Sequence, residues 1–179
     1  EPLGVPAMMS MGVAKSRAVP GASAGSMELQ RVPLTEAERV DLRRDPRVRA
    51  IAEPMPMRLI EPLAGGATAE PAGAKVTWGV QAVGAAQSPF TGEGIVVAVL
   101  DTGIDPSHAA FRGVDLVRRN FTQEGDDDQH GHGTHCAGTI FGRAVDGLRI
   151  GVAPGVRKAL IAKVLGKGGG SSAEIAKAI

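Results

Sequence analysis

Six consecutive apolar residues, Ile95-Val96-Val97-Ala98-Val99-Leu100, run without a polar break into Asp101. A strand with one wet face alternates apolar and polar residues. A run with no polar face is expected of a strand covered on both sides, the condition of a parallel sheet clothed by helices. The neighbouring texture agrees. Val76, Val80 and Val83 sit at i, i+4 and i+7 and predict an amphipathic helix over Val76–Ala86. Thr91-Gly92-Glu93-Gly94 predicts a turn, and Val114–Val117 a weaker strand. Thr134–Phe141 predicts a helix and Lys158–Leu165 a strand. Ser171-Ser172-Ala173-Glu174 is the pattern of a capping box opening a further helix. Strands alternating with helices define an α/β class with a parallel sheet and helices on both faces.

Upstream of residue 75 the pattern is different. Residues 1–30 are rich in Ala, Gly, Ser, Pro and Met with no sustained period, and read as poorly ordered or incomplete. Within 31–60, Thr35-Glu36-Ala37-Glu38 fits a capping box with Val40 on the apolar side. Asp45-Pro46 ends that helix, because proline disfavours the α region for the residue before it. Val48–Glu53 then predicts a short strand. This small α+β unit is too short to bury a core alone and requires a partner surface. Residues 61–74, EPLAGGATAEPAGA, have the composition of a flexible linker, and 75–179 form the main domain.

Composition excludes several classes. Twenty basic and 19 acidic residues leave a net charge of +1, which offers nucleic acid or an anionic membrane no attraction. The longest apolar run is far below the ~20 residues of a membrane span. One cysteine forms no internal disulfide. One Trp, four Phe and no Tyr leave the core to Val, Ile, Leu and Ala. The chain starts at Glu1 without an apolar signal region, as expected of a piece of a longer precursor.

Two stretches carry chemistry. Asp101-Thr102-Gly103 follows the apolar strand, at the end where parallel sheets build sites. A carboxylate there suits holding an imidazole; the plainer reading is an Asp capping a turn. A third reading takes hydrophobic-Asp-Thr-Gly as half of an aspartic peptidase dyad, which leaves the histidines without a role. The second stretch is Gln129–Thr139, QHGHGTHCAGT, holding three histidines and the only cysteine. Glycines flank His132 and permit close packing and unusual dihedrals. His130, His132 and His135 beside Asp126–Asp128 are also a dense set of metal donors, although H-x-H-x-x-H is no strong zinc signature. The acidic loop Glu124–Asp128 reads as solvated, with weak calcium binding as the alternative.

Val99-Leu100-Asp101-Thr102-Gly103-Ile104 resembles the aspartate motif of subtilisin-like serine peptidases. His132–Thr139 resembles their histidine motif in its cysteine-bearing version, 31 residues further on. Trp78–Val83, Gly151-Val152-Ala153-Pro154 and Lys163-Val164-Leu165 resemble other family segments in the family's order. The resemblance implies a subtilisin-like α/β fold and proteolysis. Asp101 would orient the imidazole, and His132 would act as general base and then general acid. Leu165 would contribute an apolar subsite, and Gly168, Gly169 and Gly170 would pair with an extended peptide. His135 and Cys136 would be packing residues, and His130 a bystander. No cofactor or catalytic metal is implied, and structural calcium is compatible with the family. Residues 31–60 resemble the end of an inhibitory propeptide, which implies the chain's own propeptide as partner beside a peptide or protein substrate. A secreted or extracytoplasmic location is likewise implied by resemblance alone.

The family's nucleophilic serine is expected downstream of the histidine. Only Ser171 and Ser172 follow His132 here, in a context that does not match, and the one asparagine, Asn120, precedes it. The 179 residues are therefore expected to be inactive alone. The rival expectation is a truncated homologue that binds peptides or inhibits a related peptidase.

Overall fold

A computed structural model describes residues 11–16, 27–60 and 73–179. Most of the linker and the outermost N-terminal residues lie outside them. The chain divides into two compact units, one of Glu1–Pro56 with Ser171–Lys177, the other centred on Met57–Gly170.

In the first unit, β1 (Met11–Ser16) pairs antiparallel with both β2 (Met27–Val32) and β3 (Val48–Ala52), in the order β2-β1-β3. β1 and most of β2 thus fall in the stretch 1–30 that shows no sustained period in sequence. Hydrogen bonding to partners distant in the chain, rather than an alternating apolar face, defines them. Helix α1 (Glu36–Arg44) begins as expected: Thr35 accepts from the Glu38 amide, and the Glu38 carboxylate reaches back to the Thr35 backbone. The Thr35 amide and hydroxyl both donate to the Glu38 carboxylate and hold it below its ordinary pKa. None of the helix's side chains is buried. The unit also takes in most of a C-terminal helix, Ser172–Ala178, which Arg31 joins through Glu174 at 2.9 Å.

The second unit is built on three parallel strands. These are β5 (Val96–Asp101), β6 (Asp115–Asn120) and β7 (Lys158–Lys163), preceded by the two-residue β4 (Pro56–Met57). Their order is β5-β7-β6, with Asp101 and Asn120 both level with Lys163. Helix α3 (His132–Phe141) packs on β5. Phe141, Phe111, Ile104, Val99, Ile161 and Val156 form the core between sheet and helix. The α/β class with a parallel sheet is thus the one the sequence indicates. The expectation that Ile95–Leu100 is covered on both sides is corrected. Among the described residues the opposite face of the sheet is open, with Val96 53%, Leu160 43% and Val117 39% exposed.

Helix α2 is also shorter than its period suggests, only Trp78–Ala82. Val80 is buried, whereas Val83 and Trp78 lie outside the core, so the i+7 position contributes nothing to packing. No helix among the described residues is long and apolar enough to cross a membrane.

Candidate active site

Asp101 ends β5 and is nearly buried; His132 opens α3. The strand end and the helix start face each other, and His132 Nδ1 lies 2.8 Å from Asp101 Oδ1 and 3.0 Å from Oδ2. A donor shared by both carboxylate oxygens places the proton on Nδ1 and leaves the Nε2 lone pair outward. The Thr102 amide donates to Asp101 Oδ1 at 2.7 Å and holds the carboxylate still.

Two local devices bring these elements so close. Gly133 sits directly over the Gly103 backbone, and a Cβ there would overlap the Gly103 carbonyl oxygen. Gly131 caps α3 with a φ of 91°, a left-handed conformation that suits glycine and offers no side-chain cap. The exposed N–H groups of the first turn therefore need outside acceptors. Asp128 serves the Thr134 amide of that turn and the two amides leading into it. Its Oδ1 accepts from the amides of His130 at 3.0 Å and Gly131 at 2.9 Å and from the Thr102 hydroxyl at 2.8 Å. Its Oδ2 accepts from the Thr134 amide at 2.9 Å and hydroxyl at 2.6 Å. The Gly133 amide donates to Thr102 Oγ1 at 2.9 Å, so Thr102 links Asp128 to the helix start. Partial burial pushes the Asp128 carboxyl upward, but these bonds outweigh it and hold the group well below the usual carboxylate range.

Sequence reading assigned Asp128 to a solvated acidic loop and missed this role. The available signal was its place four residues before His132, at the foot of a glycine-capped helix.

Cys136 lies one turn along α3, its Sγ 3.6 Å from His132 Nδ1 and 4.0 Å from Nε2. Burial, then the nearby Asp101 charge, pushes its thiol above the ordinary value, so it stays protonated at neutral pH. The histidines expected as alternative metal donors do not gather. Among the described residues the converging set is Asp101, His132 and Cys136, with ligand atoms within 4.8 Å of one another. A metal there would compete directly with the Asp101–His132 hydrogen bond. The packing role expected for His135 is corrected. Its side chain is exposed and borders a groove of about 830 Å³ with Trp78, Val83 and Ile150. The helix turns that face away from the sheet, which the motif alone does not specify. His130 is exposed, its ring edge-on to His132 at 6.3 Å.

Leu165 is half-buried just past β7. The amides of Val164 and Leu165 both donate to the Asp101 carbonyl, at 2.9 and 3.2 Å. Gly166 and Gly169 then close a tight turn by exchanging hydrogen bonds at 2.8 and 2.9 Å. Gly168 is exposed at its tip; Gly169 has a φ of 94° and backs onto the Met57 carbonyl. Gly170 lies against the Val164 carbonyl. Neither late serine hydroxyl is free in the first unit. Ser171 caps the C-terminal helix by accepting from the Ala173 amide at 3.2 Å, and Ser172 Oγ accepts from the Met55 amide at 3.0 Å.

A strand-end carboxylate that holds a helix-start imidazole in an α/β domain is an arrangement able to move a proton to and from a nucleophile. Residues 92–179 match the subtilase family model, and over that stretch the chain belongs to the subtilisin-like serine peptidase family. Its relatives include subtilisin-like protease 6 of Trichophyton equinum, 38% identical over 86 residues, which is 48% of this chain and 20% of that protein. Subtilisin-like protease 6 of Arthroderma benhamiae is 33% identical over 109 residues, 56% of this chain and 25% of the relative. The matches therefore span a quarter or less of those relatives' length. Among solved structures, a cold adapted subtilisin-like serine proteinase aligns at 31% identity and a TM-score of 0.43, covering 51% of this chain and 32% of that one.

Proposed function

We propose that this chain is the Asp–His part of a serine endopeptidase that cleaves peptide bonds through an acyl-enzyme. The observation carrying the reading is the hold of both Asp101 oxygens on His132 Nδ1, with Nε2 left to exchange protons. In this reading His132 takes the proton of a serine hydroxyl as it attacks the carbonyl, and returns it to the leaving amine. Asp101 keeps the tautomer and stabilises the imidazolium. The nucleophile and the side-chain oxyanion donor come from sequence beyond Ile179, so the 179 residues alone are inactive. An extended peptide pairs with Gly168, Gly169 and Gly170 and sets a side chain against Leu165. Residues 31–60 are the end of an inhibitory propeptide. The chemistry needs no cofactor, calcium would be structural, and the protein acts outside the cytoplasm.

Fluorophosphonate labelling tests the reading. The longer gene product is expected to label, and His132→Ala to abolish it; failure of the wild type to label overturns the enzyme assignment. The 179-residue chain is expected not to turn over a fluorogenic peptide, and turnover abolished by His132→Ala would refute its inactivity. A reading frame stopping near Ile179, together with inhibition of a related peptidase, would support a truncated binding homologue instead.

A further inference from the structure

Lys163 ends β7 and is 2% exposed, one of few charged side chains taken into this interior. A buried ammonium needs compensation. Its Nζ donates to the Asp127 carbonyl at 2.8 Å and faces Glu124 Oε2 at 3.7 Å. The other Glu124 oxygen, Oε1, accepts from the Lys167 amide at 2.9 Å. The same carboxylate lies directly over Gly166, where a Cβ would overlap it. Glu124 is itself held from behind: Asn120 Nδ2 donates to its carbonyl at 2.8 Å, and its amide donates to Thr122 Oγ1 at 3.2 Å. Glu124 thus meets the end of β6 through its backbone carbonyl, and the end of β7 and the turn Gly166–Gly169 through its carboxylate.

We propose that Glu124 is a positioning residue for substrate binding. It fixes the turn that leads into Gly168, Gly169 and Gly170, and Lys163 is the buried charge that keeps its carboxylate in place. The inference rests on the peptidase reading above, because it concerns the edge that reading assigns to the peptide. Besides Glu124, Gly166 and Gly169 bond each other and Gly169 backs onto the Met57 carbonyl, while the Lys167–Gly168 tip has no other hydrogen-bonded anchor among the described residues. Without the Lys167 acceptor the turn would sample other heights. An extended peptide would then bear the cost of ordering it, whereas a small probe reaching only the nucleophile would not.

The ion pair complicates a single substitution, since removing Glu124 leaves Lys163 buried and uncompensated. Replacing both partners avoids that, so the comparison is Lys163→Met/Glu124→Gln against Lys163→Met/Glu124→Ala in the longer gene product. Glutamine keeps an oxygen for the Lys167 amide; alanine does not. The expected result is similar melting for both, but a KM for an extended peptide about tenfold higher in the alanine version, with fluorophosphonate labelling unchanged. Amide exchange at Lys167 is expected to quicken by about the same factor in the alanine version, with Val164 and Leu165 unaffected. Equal KM values, unchanged exchange at Lys167, or labelling that falls in step with peptide hydrolysis would overturn the inference while leaving the peptidase reading intact. A wild type that does not label would overturn both. Should the double variants not fold, exchange at Lys167 in Glu124→Gln and Glu124→Ala decides between the same outcomes.

Discussion

Gly133 packs face to face against the backbone of Gly103, with no room for a side chain between the helix start and the loop after β5. Gly133→Ala must push α3 away from that loop, and the His132–Asp101 bond spans the same gap. Activity of the longer gene product is expected to fall by about a hundredfold, the penalty of a roughly 1 Å misplacement. Its kcat and stability should drop together; wild-type kinetics in Gly133→Ala would refute the close-packing account.

Asp128 should make stability depend on pH. Its folded carboxyl titrates below its unfolded value of about 3.9, so its contribution is complete above about pH 4 and lost as pH falls towards the folded value. Asp128→Asn is expected to cost about 1–2 kcal/mol at neutral pH, the usual range for losing a helix N-terminal acceptor. The gap between wild type and variant should shrink below about pH 4. A urea midpoint series across pH checks this, and a gap that widens on acidification would contradict it.

Asp101→Asn in the longer gene product is expected to lower kcat by roughly 10⁴-fold, the loss typical of a Ser-His-Asp site whose imidazole takes the wrong tautomer. His132→Ala should cost at least as much. Peptide hydrolysis measured at saturating substrate checks both, and a drop confined to KM would remove Asp101 from the chemistry.

Cys136 gives a readout independent of turnover. Its raised thiol should alkylate slowly with iodoacetamide near pH 7, because the thiolate is the reactive form. Asp101→Asn removes the negative charge that adds to burial, so alkylation should quicken. A slower reaction in that variant would show that Asp101 does not act on the thiol.

Much of the hydrogen-bonded Asp101–His132 pair was legible in sequence because its determinants are local. An apolar run ended in Asp101, and glycines bracketed His132. Asp128, Glu124 and Lys163 were not legible. The Thr102–Asp128 bond crosses 26 positions and the Lys163–Asp127 bond 36, and no local pattern records such contacts. Lys163 did leave a trace, as a charge directly following the apolar strand interior Ala159–Ala162. The strands Met11–Ser16 and Met27–Val32 were missed because pairing, not composition, defines them. His135 was misread because a motif fixes the order of residues along a helix but not its rotation against the sheet.

Asp101 uses its side chain on His132 and its main-chain carbonyl on Val164 and Leu165. In the proposed peptidase, selectivity and rate would therefore be mechanically geared through one residue. An evolving or engineered change of bulk at position 165 presses on the same peptide unit that aims the imidazole. Variants selected there for new specificity should carry altered turnover as a by-product, and a second substitution elsewhere along the wall would be the natural route to restoring it.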